Sequence, residues 1–102
     1  METTFAGTQI QLDDHGYMSD LSQWTREVAA GIAEEEGITL TDAHWPVLEY
    51  IQNQYKNGEP LTIRKVGKSG IVNIKELYQL FPEGPLKKAS RIAGIPKPVS
   101  CI

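Results

Sequence analysis

The chain has 102 residues, of which 40% are hydrophobic and 23% are charged, and this predicts one soluble globular domain rather than a disordered chain or two separate cores. Its apolar runs fall short of the roughly 20 residues that a membrane-spanning helix needs, and its first residues do not resemble a secretory signal. The net charge is −3, and the single cysteine, Cys101, excludes an internal disulfide, a four-cysteine zinc site and a Cys-x-x-Cys redox pair, so we expect a reducing cytoplasm.

The charge is unevenly divided along the chain. Residues 1–59 hold eleven acidic and two basic side chains, whereas residues 60–102 hold eight basic and two acidic ones. Such polarity suits the C-terminal half to an anionic partner. The same division of charge is also expected if the acidic and basic halves attract each other within one fold.

The N-terminal segment predicts a β-hairpin over residues 4–18. Ile10 and Leu12 alternate as strand residues, and residues 13–16 (Asp-Asp-His-Gly) carry turn chemistry. Two strands alone are marginally stable, so we expect this hairpin to lie on a larger body.

Two amphipathic helices follow the hairpin. Apolar residues repeat every four positions over 21–36, with Asp20 or Ser22 as the cap. A second helix is expected over 42–56 with Thr41 as its cap, and Pro46 is tolerated in its first turn.

Three shorter helices complete the expected bundle. They cover residues 62–68, 73–81 and 86–93, with Thr62 and Asn73 capping the first two. The apolar residues of the middle helix, all expected to face inward, are Ile74, Leu77, Tyr78 and Phe81.

The expected fold is therefore mostly α (α+β). It is one domain over 1–102, an orthogonal bundle of about five helices with an N-terminal hairpin. The helices at 62–68 and 73–81 have helix-turn-helix proportions. Residues 94–102, which contain two prolines, form a mobile C-terminal arm.

The chemistry of the chain centres on its penultimate residue, Cys101. A thiol on a non-helical tail can reach into another protein's active site, although a lone cysteine can also be an incidental small hydrophobe. A nearby cation would favour the reactive thiolate. The candidates for this support, or for docking, are Lys97, Arg91, Lys87 and Lys88.

Other constellations are weak. His15 and His44 have no metal-ligand spacing, and no glycine-rich cofactor fingerprint occurs, so we expect neither metal nor cofactor. Arg64 and its basic neighbours on the helix-turn-helix-like pair could contact nucleic-acid phosphates or form a solvated face. We expect no membrane partner.

Three C-terminal segments carry a family resemblance. They read ELYQLFPEGP at 76–85, AGIPKP at 93–98 and CI at 101–102. With Gly16-Tyr17, Gln23-Trp24, His44-Trp45 and Ile63-Arg64-Lys65, they make the chain similar to the family of DsrC, the gamma subunit of dissimilatory sulfite reductase, and TusE, a sulfur-relay protein.

This resemblance implies a helical bundle with an N-terminal hairpin, and a persulfide carried on Cys101. DsrC proteins have a second cysteine eleven residues earlier, where this chain has Ser90. The single-cysteine state is similar to TusE and implies a sulfurtransferase-type carrier rather than a stand-alone enzyme. It would relay sulfur from a TusBCD-like donor to a tRNA thiouridylase-like acceptor. The short link from Ile63 to Leu77 is more like the DsrC branch, which implies docking on a sulfite reductase complex.

Overall fold

The computed structural model describes residues 2–5 and 7–96 and begins with an antiparallel hairpin. Strands β1 (Glu2–Phe5) and β2 (Thr8–Gln11) pair along their full length. The hairpin lies on the first helix, where Phe5 packs so closely that a Cβ at Gly31 would sit 2.7 Å from its ring. The expectation that the hairpin needs a larger body is therefore met.

The predicted turn of this hairpin was wrong. The two-residue connection between Phe5 and Thr8 closes it, and Gly7 adopts φ +77° there. Residues 13–16 instead make a second reversal, because the Asp13 carboxylate accepts the backbone N–H groups of His15 and Tyr17. Leu12 and Met18 form an isolated antiparallel bridge across that reversal, and the Asp13 N–H donates to the carbonyl of Tyr17.

The helix predicted over residues 21–36 is divided in two. A 3₁₀ turn spans Leu21–Gln23 and α1 spans Arg26–Glu35. Thr25 is the N-cap of α1: its backbone is extended, as is usual for an N-cap residue, and its hydroxyl accepts the Val28 N–H. Asp20 caps the 3₁₀ turn instead, and hydrogen bonds from the Ser22 hydroxyl and N–H lower the pKa of that carboxyl.

Helix α2 spans His44–Lys56 and begins with an imidazole contact in place of the predicted Thr41 cap. The Thr41 N–H donates to Nδ1 of His44 over 3.0 Å. With Nδ1 accepting, the ring proton lies on Nε2, which donates to the carbonyl of Leu80 over 2.9 Å. The ring of His44 therefore ties the start of α2 to α4.

Helices α3 (Ile63–Gly67) and α4 (Ile74–Leu80) have the predicted caps. The Thr62 hydroxyl accepts the Lys65 N–H, and Asn73 forms a capping box with Glu76. The inward orientation predicted for Ile74 and Tyr78 was wrong, since both are 46% exposed. Leu77 and Phe81 fill the core instead.

Helix α5 (Pro85–Ile92) packs against α1, α2 and α4 at the centre of the molecule. The predicted fold class is confirmed. Large and fully buried side chains come from the hairpin, from α1, α2, α4 and α5, and from the segments beside them: Phe81, Ile10, Met18, Ile32, Leu48, Ile51, Leu77, Leu86, Ile92 and Ile95. Within residues 2–5 and 7–96, every helix is too short or too polar to cross a bilayer.

Candidate functional site

Cys101 and Lys97 lie outside the described residues, but the structure describes the residues that precede them, up to Pro96. Residues 94–96, predicted as the start of the arm, belong to the body. Ile95 is buried, and its N–H donates to the carbonyl of Ser90. Gly94 and Ile95 are therefore not part of a mobile arm, and the rest of the predicted arm after Pro96 lies outside the described residues.

Two side chains hold the C-terminal end of α5. Nε1 of Trp24 donates to the carbonyl of Ile92, and Nε2 of Gln52 donates to the carbonyl of Ala93, both over 2.7 Å. The last carbonyls of a helix have no partner within the helix. These two donors come from different elements, the segment before α1 and helix α2, and satisfy the carbonyls at the end of α5.

Gly94 completes this junction. Its φ of +79° is a left-handed conformation, which suits the residue after a helix end. A Cβ at this position would lie 2.6 Å from Cδ1 of Trp24 and 3.1 Å from the sulfur of Met18. Only glycine therefore fits between the helix end and the indole.

Arg91, predicted as a docking or thiolate-supporting cation, is held by the body of the protein. Its guanidinium contacts Glu35 at 2.8 Å and Glu36 at 3.0 Å, and its Nε donates to the carbonyl of Gly16. The side chain is only 15% exposed. Arg91 thus joins α5 to the end of α1 and to the second reversal.

The other predicted cations do not form one cluster with Arg91. Lys87 is exposed on the preceding turn of α5, and Lys88 is half-buried beside it. Arg64 is exposed on α3, a different helix. Lys87 and Lys88 are therefore the described cations of α5 that remain available to a partner near the junction.

Ser90, at the position of the second DsrC cysteine, is fully buried in α5. Its hydroxyl has no hydrogen-bond partner among the described residues. A thiol placed here would be enclosed by the core.

A small cleft lies beside the junction. It encloses about 190 Å³ and is lined by Trp24, Arg26, Trp45, Glu49 and Gln52. The guanidinium of Arg26 lies 4.7 Å from the centre of the Trp45 ring, within the range of a cation–π contact. Trp24 and Trp45 are both partly buried and pack against the core.

The functional residues that the sequence missed are Trp24 and Gln52. Their hydrogen bonds to α5 span 68 and 41 residues of chain. The only signal in the sequence was Trp24 itself, which is part of the family resemblance. Together these contacts fix the C-terminal end of α5 on the body of the protein.

Comparison with known proteins confirms the family resemblance. A family model described as DsrC-like protein matches residues 4–102. Sulfurtransferase TusE of Sodalis glossinidius is 41% identical over 107 aligned residues, which cover 96% of this chain and 98% of that protein. Sulfurtransferase TusE of Escherichia coli K12 is 42% identical over 106 residues, with 96% and 97% covered.

Solved structures of this family have the same fold. The NMR structure of Allochromatium vinosum DsrC matches with a TM-score of 0.80 and 35% identity over all of both chains. A chain in the crystal structure of dissimilatory sulfite reductase I matches with a TM-score of 0.86 and 33% identity, again over all of both chains.

Proposed function

The chain belongs to the family of DsrC-like proteins, and we propose that it is a sulfur carrier whose working thiol is Cys101. The observation that carries this proposal is the match to TusE sulfurtransferases at 41–42% identity over nearly the whole chain. The family match extends through the terminal Cys-Ile pair. The body of the protein then serves as a fixed base, and Cys101 is the group that reacts.

The proposed step is a transfer of one sulfur atom between thiols. The thiolate of Cys101 attacks the outer sulfur of a donor persulfide, R–S–SH. The S–S bond of the donor breaks and R–S⁻ leaves, while a new S–S bond forms on Cys101. The proton stays with the transferred sulfur or passes to solvent, and no outside oxidant or reductant is needed.

Thiolate support is assigned to Lys97, four residues before the sulfur. Arg91 is less suited to this role, because Glu35 and Glu36 already neutralise its charge. Lys87 and Lys88 are assigned to docking, since they lie on α5 just before the junction. A working thiolate needs a reducing compartment, so the proposal places the chain in the cytoplasm.

The proposed pathway is a TusE-like relay, from a TusBCD-like donor to a tRNA thiouridylase-like acceptor that makes 2-thiouridine. Ser90 favours this branch, since a serine has no thiol with which to form the internal disulfide of a two-cysteine protein. A second candidate is a subunit that docks on a sulfite reductase complex. It is favoured by the TM-score of 0.86 to a chain from dissimilatory sulfite reductase I.

Complementation separates these branches. We express the chain in Escherichia coli that lacks its own TusE and measure 2-thiouridine in tRNA nucleosides by mass spectrometry. A TusE-like carrier restores the modification, and Cys101→Ser does not. If folded wild-type protein accumulates without restoring it, the tRNA branch is excluded. If Cys101→Ser restores it equally, the thiol is not the carrier.

A further inference from the structure

The outer side of the α3–α4 pair presents two large apolar side chains to solvent. Ile74 and Tyr78, each 46% exposed, lie four residues apart and therefore share one side of α4. Ile74 rests against α3, because a Cβ at Gly67 would lie 2.5 Å from its Cγ1. The two side chains are thus part of a packed surface that α3 supports.

Basic residues flank this apolar pair on both sides. Arg64 and Lys68 are exposed and belong to the same side of α3 and its C-cap, on either side of Gly67 in the sequence. Lys75 is exposed on α4, three residues before Tyr78. No salt bridge involves any of these three cations within the part of the chain that the structure describes. We call Ile74, Tyr78, Arg64, Lys68 and Lys75 the α3–α4 face.

We infer that the α3–α4 face docks an acidic protein surface that carries an exposed apolar side chain. Uncommitted positive charge around an apolar centre is complementary to such a partner, with the apolar contact giving affinity and the charges giving steering. A nucleic acid fits this face less well, since two large apolar side chains occupy the centre where phosphates would need donors.

The inference deepens the proposed function and rests on it in one respect, since the docked protein is taken to be a donor or acceptor of sulfur. The face is small. A small apolar centre with a charged rim suits a contact that forms and dissociates in each cycle, because a carrier must leave one partner to reach the next.

Cross-linking tests the face directly. A photoreactive benzoylphenylalanine replaces Tyr78 in the full chain, and in a control chain it replaces Tyr55, which is 44% exposed on α2. Cells expressing each chain are irradiated, and the cross-linked peptides are identified by mass spectrometry. We expect position 78 to capture a protein through a segment that contains acidic and apolar residues, and position 55 to capture far less of it.

Charge reversal gives the second readout. Lys68→Glu should reduce the yield at position 78 by about tenfold, as expected when one contact turns from attractive to repulsive. Lys56 is an exposed residue of α2, and Lys56→Glu changes the net charge by the same amount. This control variant should leave the yield unchanged. If an acidic residue of the captured segment is replaced by lysine in the partner, the cross-linking yield of the Lys68→Glu chain should return to that of the unchanged pair.

Four results would overturn the inference: capture of nucleic acid, capture of a second copy of this chain, equal yields at positions 78 and 55, or a yield that Lys68→Glu leaves unchanged. The proposed function is judged separately, by loading sulfur from inorganic polysulfide onto the unmodified chain, which needs no docked protein. A chain that loads but does not cross-link at position 78 keeps the carrier role and loses the face.

Discussion

Gly94 shows how one residue decides where the body ends. Its left-handed φ and the adjacent indole of Trp24 leave no space for a side chain. Gly84, before α5, has a similar φ of +77°, but a Cβ there would meet no atom within 4 Å. Alanine at Gly84 would therefore meet only the cost of a left-handed backbone, whereas alanine at Gly94 would meet that cost and a steric clash as well.

Gly84→Ala should lower the free energy of unfolding by about 1–2 kcal/mol, the cost of a left-handed residue with a Cβ. Gly94→Ala should lower it by about 1–3 kcal/mol more, because the Cβ overpacks against Trp24 and Met18. Urea unfolding of both variants measures the difference. Equal losses would mean that the junction is not tightly packed around Gly94.

Arg91 could be identified from the sequence as a cation near the thiol, but its partners could not. Glu35 and Glu36 are 56 and 55 residues away along the chain, and only the fold brings them to α5. The sequence does carry a hint, since three glutamates at the C-terminal end of a helix oppose the helix dipole. Arg91 neutralises two of them.

Arg91→Gln should lower the free energy of unfolding by about 1–2 kcal/mol, since charged hydrogen bonds are lost but Glu35 is half exposed to water. The loss should be smaller in high salt, because salt screens the exposed Arg91–Glu35 pair and so weakens it in the wild type as well. Lys87→Gln, an exposed change one turn earlier on α5, should stay within about 0.5 kcal/mol. A matching loss for Lys87→Gln would contradict the structural role of Arg91.

Among the elements, the caps of the short helices α3 and α4 were predicted correctly, whereas the caps of α1 and α2 and the rotation of α4 were not. Thr62 and Asn73 act on backbone groups three residues away, so the local sequence determines them. The apolar residues of α4 and its C-cap, Ile74, Leu77, Tyr78 and Phe81, cover a wide part of the surface of this short helix. Which part of that surface faces the core depends on α3 and α5, and so Ile74 and Tyr78 were placed wrongly.

Asn73→Ala tests how far α4 depends on its cap. Two hydrogen bonds of the capping box are lost, and the expected loss in the free energy of unfolding is about 1–2 kcal/mol. Asn53→Ala, an exposed change in the interior of α2, should be neutral or slightly stabilising, because alanine favours helix more than asparagine does. Thermal unfolding of both variants gives the comparison, and an equal effect would exclude the cap as the cause.

At the scale of the whole molecule, the two charged halves of the chain do meet. The Arg91 pairs join the basic half to the acidic half, and so does Lys65 with Glu59. Other basic residues, among them Lys87 and the three cations of the α3–α4 face, remain exposed. The attraction between the two halves is therefore confirmed for these pairs, and an anionic partner for the exposed cations stays a prediction.

Composition, periodicity and local capping predicted the fold class well, and the resemblance to DsrC and TusE identified Cys101. The junction was not predictable, because Trp24 and Gln52 reach α5 from distant parts of the chain. Hydrogen bonds of that kind depend on tertiary packing and leave no periodic signal. The sequence thus predicted the reacting group, and the structure added the contacts that fix the end of α5.

Lys97→Ala should lower the reactivity of Cys101 toward a small uncharged alkylating reagent. One exposed unit charge several ångströms away is worth about 0.5 kcal/mol in water, which is a factor of about two to three in thiolate population. The rate is measured as a function of pH through the titration of the thiol, with Lys56→Ala as the control. Identical rate profiles would leave Lys97 as a docking or solvated residue.

The most direct test of the carrier role is the intact mass of the chain after incubation with inorganic polysulfide and removal of the excess. The account predicts a gain of one sulfur atom that dithiothreitol removes and that Cys101→Ser lacks. Cys101→Ser should unfold at the same urea concentration as the wild type, so that a missing gain reports chemistry rather than folding. A wild-type chain that gains no sulfur, or a Cys101→Ser chain that gains as much, would contradict the central claim.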